Sequence, residues 1–175
     1  MRHIISILVM NEFGVLSRVV GLFSGRGFNI ESLNVAETTD PSVSRMTIVS
    51  GGDEKILEQI TKQLNKLVPV IKVYDFTDEA HIERELAMVK VSATADNRAE
   101  ILRIIDIFRA KVIDVSPASY TVEVTGDEDK LEAMLELLRP FGIKEIVRTG
   151  RIAMARSPKT ARSARTRTKK KNTGG

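Results

Sequence analysis

The chain has 175 residues, no cysteine and a net charge of +4. The absence of thiols excludes disulfides, thiolate metal sites and a cysteine nucleophile. No apolar run approaches the roughly 18 residues of a membrane span, and Met1-Arg2-His3 leads into an apolar strand with no small-residue cleavage site, so a cytoplasmic chain with neither membrane segment nor secretory signal is expected.

The charge is unevenly spread. Nine of the 27 Lys and Arg lie from Arg151 onward with no acid among them, so residues 1–150 hold 18 basic against 23 acidic side chains, a net of −5. The tail, residues 151–175, has almost no large apolar side chain after Met154. It cannot offset its ordering entropy by burial and is expected to be disordered from about Ser157.

Ile4 to Met10 reads as a strand, apolar on both faces except for Ser6. The turn Asn11-Glu12-Phe13-Gly14 opens a helix from about Gly14 to Ser24, with Val15, Val19, Leu22 and Phe23 on one stripe. Gly25-Arg26-Gly27 follows that helix and stops it; a dinucleotide-binding loop would open a helix and carry a third glycine. Ile30 to Thr38 is a second strand, Asp40-Pro41 a turn, and Ser44 to Ser50 a third strand. There Met46 and Ile48 face one way and Arg45, Thr47 and Val49 the other. A helix with the stripe Ile56, Ile60, Leu64 and Leu67 runs toward Pro69, and Val70 to Phe76 closes the unit.

Residues 77–84 are polar and read as a linker; the order then repeats. Glu85 to Thr94 is a strand and Asn97 to Ala110 a helix with Ile101, Ile105 and Phe108 on one face. Lys111 to Val115 and Ser119 to Thr125 are strands, followed by a helix with Leu131, Met134, Leu135 and Leu138, and by Ile143 to Arg148. Two βαββαβ units predict an α+β chain of two tandem ferredoxin-like domains, residues 1–76 and 85–150, each an antiparallel four-stranded sheet with two helices on one face. Each unit is small for an independent core, and apolar open faces and edges predict association, most simply a dimer.

Chemistry is sparse. His3 and His81 stand apart, without a serine nucleophile or ligand cluster at a known spacing, and read as surface or linker residues; acids such as Asp127-Glu128-Asp129 read as a solvated helix face. RNA recognition by this fold needs aromatics on the central strands, and neither Ile4–Met10 nor Ser44–Ser50 has one, so nucleic acid is not the expected partner of the body; the tail alone could bind polyanions without specificity. The Asn11–Leu16 turn is different. A glycine-led helix N-terminus can bind a small anion on bare backbone N–H groups, and a second Asn stands in Gly27-Phe28-Asn29-Ile30 after the same helix. Both loops belong to the neighbourhood of that helix, and edge-to-edge pairing of two units would let the Asn29 loop of one approach the helix start of the other.

The motifs Asn11-x-x-Gly14-Val15-Leu16, Gly27-Phe28-Asn29-Ile30-Glu31-Ser32-Leu33-Asn34-Val35 and Ser44-Arg45-Met46-Thr47-Ile48-Val49 resemble the regulatory small subunit family of acetolactate synthase, with an ACT domain at residues 1–76. The resemblance continues through Glu83-Arg84-Glu85-Leu86 and Ile146-Val147-Arg148-Thr149-Gly150-Arg151-Ile152-Ala153, and covers about residues 2 to 156. It implies a chain without chemistry or cofactor of its own. Its partner would be a catalytic subunit carrying thiamine diphosphate, Mg and FAD, which it activates and subjects to feedback inhibition by a branched-chain amino acid, usually valine. The effector carboxylate is then expected on N–H groups around Gly14, Val15 and Leu16, its ammonium on the side-chain carbonyls of Asn11 and Asn29, and its alkyl group near Leu16 and Ile30, between two ACT domains of a homodimer. Discrimination among valine, leucine and isoleucine by such a pocket is modest. A stand-alone ACT sensor acting on a transcription or signalling partner is the alternative.

Overall fold

The computed structural model describes residues 2–157. In the first unit, β1 (Arg2–Met10), α1 (Val15–Gly25), β2 (Ile30–Glu37), β3 (Val43–Gly51), α2 (Glu54–Leu64) and β4 (Val70–Asp75) form an antiparallel sheet of order β2-β3-β1-β4. The second unit repeats it with β5 (His81–Ser92), α3 (Arg98–Ile107), β6 (Lys111–Ser116), β7 (Ser119–Gly126), α4 (Glu128–Leu138) and β8 (Ile143–Arg148), in the order β6-β7-β5-β8. A further strand, β9 (Ile152–Ala155), pairs with the start of β5. The two tandem ferredoxin-like units predicted from the pattern are present. No described helix is long and apolar enough to cross a membrane.

Alternation decides which residues fill each core. Ile5, Ile7 and Val9 of β1 and Met46 and Ile48 of β3 pack against Val15, Val19 and Phe23 of α1 and Leu57, Ile60 and Leu64 of α2. In the second unit Ala87, Val89 and Val91 of β5 and Val122 and Val124 of β7 meet Ile101, Ile104 and Ile105 of α3 and the whole predicted stripe of α4. Each fully buried Ile or Leu contributes about 1.5–3 kcal/mol relative to exposure, so these two clusters are what each unit has to set against its chain entropy.

Several expectations need correction. Residues 81–84, read as linker, are the first part of β5, where His81, Ile82, Glu83 and Arg84 pair with Ala155, Met154, Ala153 and Ile152. Residues 152–155, read as the start of the tail, are therefore strand; the rest of the stretch read as disordered lies outside the described residues beyond Ser157. α2 stops at Leu64 rather than near Pro69. Asn65 caps it, with Nδ2 donating to the Thr61 carbonyl at 2.9 Å, and the Lys66 and Leu67 N–H groups turn back to Gln63 and Leu64 at 3.1 and 3.0 Å. α3 likewise spans Arg98–Ile107 instead of Asn97–Ala110, leaving Phe108 only partly buried. His3 is not a surface residue. It is fully buried, with Nδ1 3.1 Å from Thr77 Oγ1 and Nε2 3.1 Å from the Gly52 carbonyl.

The apolar open face of the first sheet is partly covered from within the chain. Its Ile4, Val49 and Phe76 enclose Ala153 of β9 in a third small core, and Phe76 stacks on His81 at 5.4 Å. Gly150, at φ +80, makes the corner between β8 and β9, and a Cβ there would lie 3.2 Å from Ser32 Cβ. A chain ended after Gly150 loses β9 and Ala153 and should melt several degrees below the full chain. One ended after Arg156 should melt with it. Equal melting of both short chains by calorimetry would show that β9 contributes nothing.

Candidate functional site

The β1–α1 turn is held from below. The Asn11 N–H donates to the Ser42 carbonyl at 2.7 Å, and its Nδ2 donates to Glu37 Oε1 at 3.1 Å and to the Pro41 carbonyl at 2.9 Å. The β2–β3 turn it rests on is itself braced. The Ser42 hydroxyl and N–H both donate to Asp40 Oδ1, at 2.7 and 2.9 Å, and these bonds hold the Asp40 carboxyl below its usual range. With Nδ2 engaged, Asn11 Oδ1 is the side-chain atom left to accept from a ligand.

Gly14 stands at the N-cap of α1 in the left-handed region, φ +82; no side chain caps the helix and no acid lies in its first turn. Two other helices are capped, Asp53 accepting from the Ile56 N–H at the start of α2 and Asp127 from the Lys130 N–H at the start of α4; α3 also lacks a side-chain cap but carries Glu100 in its first turn. The first-turn N–H groups of α1 are thus without a side-chain acceptor, at the positive end of the helix dipole. A Cβ built on Gly14 meets nothing within 4 Å, so a ligand can approach its backbone freely. The Val15 side chain is buried in the core and its N–H donates to the Glu12 carbonyl at 3.3 Å, a long bond that a ligand would have to replace, whereas Leu16 is 44% exposed and Phe13 fully so.

Asn29 and Ile30 sit at the far end of α1, whose 11 residues span about 16 Å. Strand register agrees: Ile30 lies opposite Ser50 at one end of the sheet, and Glu37 opposite Ser44 at the other. Asn29 is exposed, its carbonyl accepting from Ser50 Oγ at 2.7 Å, and Ile30 is half-buried against the core. Within one chain, then, the structure groups Asn11, Gly14, Val15 and Leu16 and leaves Asn29 and Ile30 apart. β2 is an edge strand. Antiparallel pairing with β2 of a second copy would set the Glu37 end of one strand beside the Ile30 end of the other.

Sequence reasoning missed a charged seam between the units. A cavity of about 390 Å³ there is lined by Arg2, Glu31, Glu128, Arg148 and Arg151, among others. Arg2 pairs with Glu31 at 2.7 Å and with Glu128, which also takes Arg151. Arg148 makes a bidentate pair with Glu85 at 3.0 and 2.8 Å and reaches Glu132 at 2.9 Å. The motif residues Glu83–Leu86 and Ile146–Ala153 turn out to be the strands and corner of this seam. Every guanidinium in it is neutralised, so it reads as a joint between the units.

A tandem of ferredoxin-like units, the first presenting an uncapped, glycine-led helix beside a free sheet edge, is the architecture of an ACT-type regulatory protein. A family model described as "AHAS small subunit-like ACT domain" matches residues 5–72, and one described as "Small subunit of acetolactate synthase" matches residues 84–157. The acetolactate synthase small subunit of Aquifex aeolicus is 56% identical over 89% of this chain and 81% of its own length, and the isozyme 3 small subunit of Salmonella typhimurium is 52% identical over 93% of this chain and 100% of its own. The crystal structure of the acetolactate synthase small subunit from Thermotoga maritima superimposes with a TM-score of 0.81 at 43% identity, covering 90% of this chain and 99% of that one. The chain belongs to the acetolactate synthase small-subunit family. Membership implies a regulatory role beside a catalytic large subunit.

Proposed function

We propose that the chain activates the thiamine-diphosphate catalytic subunit of acetolactate synthase and makes it subject to feedback inhibition by valine, in branched-chain amino acid biosynthesis. The observation that supports this most is the start of α1. Gly14 in the left-handed region, the absence of any side-chain cap and the exposed Leu16 offer N–H groups without a side-chain acceptor beside an apolar surface. An α-amino acid matches both: its carboxylate takes the N–H groups, its alkyl group Leu16. Its ammonium needs acceptors, which the Asn11 carbonyl and the Asn29 loop of a second copy would supply across a β2–β2 dimer.

Inhibition follows if valine binds one arrangement of that dimer more tightly than the arrangement that activates the catalytic subunit, since a ligand shifts an equilibrium only by its differential affinity. The seam of ion pairs through Arg2, Glu128 and Arg151 ties the first unit to the second, so a shift at the β2 edge reaches both. Nothing in the fold or the relatives favours a stand-alone sensor.

The purified chain alone should form no acetolactate from pyruvate. Added to a separately purified catalytic subunit it should raise the rate, and valine should then lower it. Turnover by the isolated chain, or a catalytic subunit indifferent to it, would sink the proposal.

A further inference from the structure

A second cavity, of about 420 Å³, lies between the open face of the first sheet and the β5–β9 ribbon, and the function proposed above does not use it. Its size is that of a small-molecule site. Ala36 of β2, Ile82 of β5, and Ile152 and Met154 of β9 contribute apolar wall; Arg45 of β3 and Arg84 of β5 contribute positive charge, and Glu37 of β2, which accepts from Asn11 Nδ2 at 3.1 Å, contributes one carboxylate. Ala36 pairs with Arg45 across the open face, while Met46, next along β3, faces α1 and the core. The sheet therefore stands between this cavity and the helix that carries the candidate effector site.

The two guanidiniums differ from those of the seam. Arg45 is half-buried and fixed: its Nη1 donates to the fully buried Ser6 hydroxyl at 2.9 Å, and its guanidinium lies 5.5 Å from the centre of the Tyr74 ring. Arg84 is exposed and donates from Nη1 to the Glu83 carbonyl at 2.6 Å, so Arg45 alone of the two is the partly desolvated cation. Neither is among the arginines paired with a carboxylate within the described residues, which are Arg2, Arg148 and Arg151. A partly desolvated cation held in place without a counter-ion has given up hydration that no protein anion replaces. An apolar chamber with such a cation in its wall is complementary to a molecule with one anionic end and an aliphatic body. We propose that this cavity binds a short aliphatic carboxylate, its carboxylate on Arg45 and Arg84 and its chain on Ala36, Ile82, Ile152 and Met154.

Calorimetric titration of the full chain with hexanoate, and with hexylamine as the charge-reversed control, tests this without the catalytic subunit. Hexanoate should bind and hexylamine should not. Arg45→Gln should weaken hexanoate binding about tenfold or more, the worth of a charge-assisted bond. Ala36→Phe, which fills the cavity from an exposed strand position, should abolish binding while leaving the melting temperature near that of the parent. Gly14→Asp should bind hexanoate like the parent. Failure of hexanoate to bind, equal binding of hexylamine, indifference to both cavity variants, or loss in Gly14→Asp would each overturn the assignment. A failed valine response with hexanoate binding intact would count against the function proposed above and leave this site standing.

Discussion

Replacing Arg148 by Leu should destabilise the chain by about 3 kcal/mol, the low end of the cost of breaking a buried ion pair by removing one partner. Glu85 is only 5% exposed and receives Arg148 Nε at 3.0 Å and Nη2 at 2.8 Å on its two oxygens. The hydrogen bond to Glu85 is the main cause that raises the Arg148 guanidinium further above its ordinary range, with Glu132 adding to it against the effect of burial. Removing the guanidinium leaves a carboxylate under β5 with no counter-charge. The low end applies because the Arg148 side chain is itself 32% exposed, so water can partly replace it. With a urea dependence of about 1–3 kcal/mol/M, the unfolding midpoint should fall by about 1 M or more. The double variant Glu85→Leu/Arg148→Leu should recover most of the loss, because removing both partners leaves nothing buried and unpaired. A single variant as stable as the parent would show that water, not Arg148, satisfies Glu85.

Local pattern carried the secondary structure well and its ends less well. The α4 stripe Leu131, Met134, Leu135 and Leu138 is buried throughout, and the β3 alternation places Met46 and Ile48 in one core and Val49 in another. Both readings rest on periodicities that the backbone imposes. Helix ends are decided by single hydrogen bonds, such as Asn65 Nδ2 to Thr61, which compete with a pattern that runs on to Leu67. β9 was not legible because its partner lies about 70 residues earlier in the chain, and polar residues 77–84 carry no sign of which segment will return to pair with them. His3 was misread for a related reason. The apolar run begins at Ile4, whereas β1 begins at Arg2, and the period-two step puts His3 on the same face as Ile5 and Ile7.

The site divides in the same way. Asn11, Gly14, Val15 and Leu16 are neighbours in sequence and remain so in space. Asn29 was placed near the same helix, and it is, but at the opposite end. Only an intermolecular contact can join the two loops, and a chain read singly has no means to display one. The Arg45–Arg84 cavity and the Arg2–Glu128–Arg151 seam likewise depend on how the second unit folds back on the first.

Gly14→Asp should abolish the valine response while leaving stimulation of the catalytic subunit in place. Two effects act at the position, and they differ in size. Gly14 has φ +82, where an L side chain costs roughly 1–2 kcal/mol; Asp is among the residues that tolerate this region, its Cβ meets nothing within 4 Å, and an acid at a helix N-terminus recovers about 0.3–1 kcal/mol. The fold should therefore survive with little net loss. The ligand fares worse. The new carboxylate occupies the end of α1 where the valine carboxylate is proposed to sit, and two like charges about 4 Å apart repel by about 4 kcal/mol at an effective dielectric of 20, close to a thousandfold in affinity. The two asparagines act more weakly. Asn29→Ala removes a side chain whose backbone stays anchored through Ser50, and should cost valine about 1.5–3 kcal/mol if its carbonyl receives the ammonium. Asn11→Ala should cost as much and also loosen the β2–β3 turn, because Nδ2 bonds Glu37 and Pro41. Calorimetric titration with valine, paired with the stimulated rate of each variant, separates these outcomes. A Gly14→Asp chain that binds valine like the parent would move the effector away from α1, whereas one that neither binds valine nor stimulates would make the start of α1 part of the surface that docks the catalytic subunit.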